Sequence, residues 1–166
     1  LREWNSLADL DSFVDEWRGS DLLVDALLGT GLEKEVTGHL REWIRILNGL
    51  PHPKVAVDIP SGLSSDTGHP LGICTQADVT VTFGLPKIGQ LLFPGCRFTG
   101  RLFVVDIGLA PIYHPPAAEA VELLEPMAIA SFLPPRDPQG HKGTYGHVLV
   151  LAGSRGKTGA AAMTCL

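Results

Sequence analysis

The sequence predicts an α/β protein built on a mostly parallel sheet, and three observations carry that prediction. Short runs rich in β-branched and apolar residues recur at positions 22–28, 54–59, 77–83 and 102–107. Stretches with the three- and four-residue spacing of an amphipathic helix flank the first two. Two runs carry an aspartate at or near their carboxyl end ahead of a glycine-containing turn: Asp25 before Gly29-Thr30-Gly31, and Asp58 before Ser61-Gly62. Near-continuous apolar strands separated by other elements are the pattern of a parallel sheet covered on both faces.

Taken in order, Leu7, Leu10, Val14 and Trp17 recur among acidic residues and predict a helix with one buried stripe. The run 22–28, broken only by Asp25, predicts a buried strand entering a glycine loop. Val36, Leu40, Trp43, Ile44 and Leu47 repeat the helical spacing, and Gly49 with Pro51 stops it. Strand 54–59 ends in the turn Asp58-Ile59-Pro60-Ser61-Gly62. Strands 77–83 and 102–107 enclose a short irregular or helical piece at 87–94. Between 110 and 138 seven prolines and no sustained periodicity predict a linker or domain edge. Beyond it the pattern predicts a strand at 147–151, a glycine loop at 153–159 and the start of a helix. No internal repeat is present.

Composition narrows the function. The 166 residues suffice for one core, and 13 basic against 18 acidic residues give a formal charge of -5 with no block of either sign. That balance argues against a nucleic-acid partner. No apolar run reaches the roughly 18 residues of a membrane span, and the first residues are unlike a signal peptide. Cys74, Cys96 and Cys165 are odd in number and widely spaced, which suits a reducing compartment and points to the cytoplasm. A first residue that is Leu, and a last segment that is Ala-rich and uncapped, read as the ends of an excerpt from a longer chain.

Asp25 and Asp58 are the strongest chemical candidates, because the carboxyl edge of an open α/β sheet is where ligands bind. A carboxylate within an apolar strand also requires a partner or a cation. The alternatives are a cap or an arginine pair for Asp25 and a turn-organising role for Asp58. Gly29-Thr30-Gly31-Leu32 opens like a dinucleotide fingerprint, but Lys34 stands where the third glycine belongs. Two glycines between a strand and a helix still let a phosphate approach backbone amides at the helix end. Residues 153–158 lack the glycine spacing of a Walker A loop, since Leu151 holds that position. Lys87 either balances a ligand phosphate or is a solvated surface lysine. His141 and His147 have no cysteine or acidic neighbours at zinc spacing, and Ser61 lies outside a nucleophile elbow.

These pieces resemble a known family. Asp25-Ala-Leu-Leu-Gly-Thr-Gly-Leu32, Val57-Asp-Ile-Pro-Ser-Gly-Leu63, Asp66-Thr-Gly68, Thr82-Phe-Gly-Leu-Pro-Lys87 and Asp106-Ile-Gly108 are similar, in that order, to the NAD(P)H-hydrate epimerase domain, also called the YjeF amino-terminal domain. The run His141-Lys-Gly-Thr-Tyr-Gly-His-Val-Leu-Val-Leu-Ala-Gly-Ser154, continued by Thr158-Gly-Ala-Ala161, resembles the start of a ribokinase-like NAD(P)H-hydrate dehydratase domain. The two in this order resemble the bifunctional repair enzymes of prokaryotes. Ile88 and Gln90 depart from the Pro and Leu that the family commonly places after the lysine, and Lys157 stands where Met is usual.

The resemblance implies a Rossmann-like three-layer sandwich over 1–112 that lacks its first part, a linker over 113–136, and the truncated start of a ribokinase-like domain over 137–166. It implies a potassium ion held by Asp25 and Ser61. Gly29, Thr30, Gly31, Leu32, Glu33, Lys34, Glu35 and Asp58 match the substrate-binding positions, and Asp58 is the choice for general acid/base. The implied substrate is NADHX or NADPHX, the nicotinamide nucleotide hydrated across its C5–C6 bond, and the parent would use ADP to dehydrate the S epimer. The cut ends imply weak or no activity in this chain alone. No nucleic acid or membrane enters, and a homo-oligomer is allowed. The alternative is a non-catalytic nucleotide-binding or dimerisation scaffold with the same fold.

Overall fold

The computed structural model describes residues 14–15, 17–110, 121–133, 135–141 and 143–165. The chain divides into two compact units, Leu1–Val121 and Glu122–Leu166. In the first, the predicted runs become strands β1 (Leu23–Asp25), β2 (Lys54–Val57), β3 (Val79–Phe83) and β4 (Arg101–Val105). Helix α1 (Gly38–Gly49) joins β1 to β2, and the single turns α2 (Ile88–Leu91) and α3 (Cys96–Thr99) lie between β3 and β4. The strands are all parallel, in the order β1-β2-β3-β4. The sequence therefore indicates the right class, an α/β Rossmann-like fold.

The register sorts the side chains onto two faces. Asp25, Ala56, Thr80 and Leu102 align on one, with Leu23 and Lys54 before them and Thr82 after. On this face Leu23 packs with Leu47 and Leu50 at the end of α1, and Trp17 lies against the cluster. Thr80 Oγ1 donates to the Thr99 carbonyl of α3 at 2.7 Å. Strands laid down in one direction with right-handed crossovers place every connection on one side, and α1 and α3 do share this side. A second cluster, Ile59, Leu63 and Cys74 with Phe98, closes the core under the long β2–β3 connection.

The opposite face carries Val24, Val55 and Val79, then Val57, Val81 and Phe103, then Phe83 and Val105. It is as apolar as a covered face, yet Val24 is 59% exposed and Phe103 46%. The sheet expected to be covered on both faces is thus covered on one among the described residues. Apolar strands record that a face must be buried, not what buries it.

Three local expectations are corrected. Helix α1 begins at Gly38 rather than Val36, and residues 32–37 run between it and the glycine turn. Gly29 to Gly31 therefore do not form its first turn. The strand expected at 147–151 pairs with nothing among the described residues, and Val148, Leu149 and Leu151 are more than four-fifths exposed. Strand geometry needs a partner strand as well as an apolar run. The first helix lies mostly outside the described residues, although Val14, Asp15, Trp17 and Arg18 are helical.

The second unit contains α4 (Pro126–Ala130) and α5 (Gly159–Cys165), the latter at the expected helix start. The 153–159 loop closes on itself through a bridge between Ser154 and Lys157. The linker expected over 113–136 lies partly outside the described residues.

Candidate active site at the carboxyl edge of the sheet

Parallel pairing brings the carboxyl ends of β1, β2 and β3 to one edge, and with them two clusters of polar side chains. The first is centred on Asp25, the last residue of β1, which is 1% exposed. Its Oδ1 accepts the Ser61 hydroxyl at 2.6 Å and its Oδ2 the Ser61 N–H at 2.8 Å. Ser61 Oγ in turn accepts the Leu28 N–H at 2.9 Å and lies 3.3 Å from the Leu28 carbonyl oxygen. A hydroxyl has one proton, and the short contact to Asp25 takes it. Among the described residues the Leu28 carbonyl is then left without a donor beside the pair.

No lysine, arginine or histidine pairs with Asp25 among the described residues. A buried carboxylate without a counter-charge calls for a cation, and carboxylate, hydroxyl and carbonyl oxygens are the donors a hard cation takes. Thr75 lies next to Ser61. Its N–H donates to the Ser61 carbonyl at 2.8 Å, and its buried hydroxyl has no partner among the described residues. Nearby, burial and the Asp25 charge push the Cys74 thiol up to about 12, which makes it an inert core group. There is no group of three His, Cys, Asp or Glu side chains able to hold a metal among the described residues.

The second cluster is centred on Asp58, the residue after β2. Its N–H donates to the Val81 carbonyl at 2.8 Å, which extends the ladder by one bond. Its φ of 66° then turns the chain out of the strand. Asp58 Oδ1 accepts the Thr82 hydroxyl at 3.0 Å and the Phe83 N–H at 3.2 Å, and it pairs with Lys87 Nζ. Burial raises the Asp58 carboxyl, but the hydrogen bonds from Lys87, Phe83 and Thr82, together with the Lys87 charge, outweigh it and hold the carboxyl below its ordinary range. The pair remains partly open, with side-chain exposures of 24% for Asp58 and 20% for Lys87.

Lys87 is therefore neither a solvated lysine nor an unengaged one. Gln90, in α2, joins the same cluster by donating Nε2 to the Asp58 carbonyl at 2.6 Å. Sequence reasoning passed over Thr82, Gln90, Thr75 and the Leu28 carbonyl as site groups. The strand-end position of Thr82 was the one available signal, since the others depend on the path of the 58–78 connection. The structure brings Asp25 together with Ser61 and Asp58 together with Lys87, with Asp58 and Ser61 three residues apart on one turn.

Gly29, Thr30, Gly31, Glu33, Lys34 and Glu35 form an exposed loop that leaves this edge, with Leu32 half-buried. The Leu28 bond to Ser61 holds one end of the loop, and the Val36 N–H, donating to the Leu71 carbonyl at 2.9 Å, holds the other. A Cβ added at Gly29 or Gly31 would meet nothing within 4 Å. No steric demand of the described residues explains these two glycines.

Residues 2–89 match the family model described as YjeF-related protein N-terminus. A bifunctional NAD(P)H-hydrate repair enzyme of Thermofilum pendens is 44% identical over 140 residues, covering 84% of this chain and 26% of the relative. The enzyme of the same name in Moorella thermoacetica is 45% identical over 141 residues, covering 85% and 27%. That of Escherichia coli is 38% identical over 144 residues, covering 87% and 28%. The chain spans about a quarter of the length of the curated relatives it matches.

Proposed function

From a chain that belongs to the family of YjeF-related protein N-termini, we infer an epimerase module of NAD(P)H-hydrate repair, interconverting the R and S hydrates of NADH and NADPH. The observation that carries this reading is Asp58, a carboxylate held ionised at the ligand-binding edge of the sheet by Lys87, Thr82 and the Phe83 N–H. The names of the relatives support the substrate class. In the proposed reaction the C6–O bond of the hydrate breaks with its electron pair going to oxygen, while the ring nitrogen's lone pair forms a C=N bond. The oxygen takes up one proton from solvent water and departs as water. Water then adds to the other face of C6 as the C=N electron pair returns to the ring nitrogen, and Asp58 accepts the proton this water releases and passes it to solvent, so one proton is taken up and one given back.

Gly29, Thr30, Gly31, Leu32, Glu33, Lys34 and Glu35 form the proposed nucleotide-binding loop, and the open space at both glycines supports close approach of a phosphate. Asp25, Ser61 and the Leu28 carbonyl are the proposed ligands of a potassium ion. When bound, the ion would neutralise the buried carboxylate and fix the turn that carries Asp58. Dehydration of the S epimer with ADP is proposed for the full-length parent, by residues that lie largely in the part of the relatives this chain does not span.

The test is potassium-dependent interconversion of the two NADPH hydrate epimers, followed by chromatography, with the full-length protein. The expected result is interconversion that Asp58→Asn slows by roughly 100-fold or more in a normally folded variant. A folded wild-type protein with no such activity would favour a binding scaffold instead.

A further inference from the structure

The Asp58 carboxylate is held in an asymmetric way that the reaction above does not by itself require. Three donors converge on Oδ1: Lys87 Nζ, the Thr82 hydroxyl and the Phe83 N–H. Oδ2 has no partner among the described residues. One oxygen is therefore anchored and the other left as the only free acceptor of the group.

Lys87 is committed just as fully. An ammonium has three N–H bonds, and Nζ has three acceptors: Asp58 Oδ1, Thr82 Oγ1 at 2.7 Å and the Phe83 carbonyl at 3.3 Å. Nothing remains for a substrate phosphate unless one of these bonds is given up. Gln90, 1% exposed, then ties the two residues through the backbone. Its Nε2 donates to the Asp58 carbonyl at 2.6 Å and its Oε1 accepts the Lys87 N–H at 2.8 Å. One buried amide thus fixes both the left-handed turn at Asp58 and the start of α2.

We infer that Lys87 is a positioning residue for Asp58: its ammonium holds Oδ1 so that Oδ2 is presented to the substrate, with Gln90 locking the two backbones in register. The inference rests on the epimerase reading and adds to it that Lys87 acts through Asp58 and not on the nucleotide.

The experiment compares wild type, Lys87→Ala, Lys87→Arg, Asp58→Asn and the Lys87→Ala/Asp58→Asn double variant in the full-length protein, assayed on NADPH hydrate with folding checked by circular dichroism. Loss of an outer partner of a working group typically lowers activity about 10- to 100-fold. That loss is expected in kcat for Lys87→Ala, with KM unchanged and partial rescue by ethylammonium. Lys87→Arg, which keeps the charge, is expected to retain more activity and covers the case in which the alanine variant does not fold. In the Asp58→Asn background the lysine replacement is expected to have no further effect. A raised KM at unchanged kcat, or losses that multiply in the double variant, overturns the inference while leaving the epimerase reading intact. A folded wild-type protein inactive on the hydrate overturns both.

Discussion

At the scale of the residue, Asp58 combines two costs that a structural turn would avoid. It is the one non-glycine residue with positive φ among the described residues, a conformation aspartate tolerates better than most side chains but which still stores strain. Its carboxylate is also partly removed from water. Asn tolerates the same backbone, so Asp58→Asn is expected to fold with a stability within about 1 kcal/mol of wild type while losing roughly 100-fold or more of epimerase turnover. Thermal unfolding and the chromatographic assay on one preparation check both halves. The pH dependence follows from the direction of the shift. Because the folded carboxyl lies below its ordinary range, the stability it contributes is present above the unfolded pKa and lost as pH falls through the lower, folded value. Urea unfolding of wild type and Asp58→Asn should therefore differ most at neutral pH and converge below about pH 4. At the other cluster, Ser61→Ala removes the hydroxyl that Asp25 accepts and is expected to cost about 1–3 kcal/mol. The variant should also lose any rise in Tm that potassium gives the wild type, because a ligand bound only by the folded state stabilises it.

At the scale of the element, glycines divide into those the fold requires and those it does not. A Cβ on Gly95 would fall within the Gly89 carbonyl oxygen, and one on Gly89 would meet the Ser64 carbonyl. This contact seats α2, and with it Lys87 and Gln90, against the 64–68 turn. Gly95→Ala is expected to destabilise by about 1–3 kcal/mol through overpacking and to lower turnover as α2 shifts. Gly29→Ala, with open space around it and no positive φ, is expected to leave Tm unchanged or slightly raised. If the loop binds nucleotide, the same change raises KM, and a KM equal to wild type would count against that role. The sequence revealed both the Asp58 turn and the glycine loop, because apolar runs ending in Asp and Gly are local signals. It did not reveal that α1 starts at Gly38, since Val36 fits the helical spacing yet is buried before the helix begins. Its N–H is directed to the Leu71 carbonyl, a partner 35 positions away along the chain.

At the scale of the whole molecule, the sheet is covered on one face and open on the other among the described residues. Val24, Phe83, Phe103 and Val105 are each more than a third exposed on that open side. Contiguous apolar surface of this kind is rare on a free protein and marks a surface meant for burial. The chain by itself is expected to enhance the fluorescence of an apolar dye such as 8-anilinonaphthalene-1-sulfonate in its folded state. Absence of enhancement, with near-UV dichroism showing fixed tertiary packing, would mean that the face is covered. No helix among the described residues is long and apolar enough to cross a membrane.

The sequence alone determined the fold class, the strand cores, the edge of the sheet where the candidate site lies, and the pairing of aspartates with turns. All of these are written in periods and motifs a few residues long. Only the tertiary structure decided that Lys87 is directed to Asp58 and not to solvent, that Gln90 links their backbones, and that Thr75 and the Leu28 carbonyl stand beside Ser61. These meetings span 29 to 36 positions for Asp58–Lys87 and Asp25–Ser61, and they depend on which strands lie side by side. Parallel pairing brings successive strand ends to one edge, so residues remote in the chain become neighbours there, and no local pattern records which of them will touch.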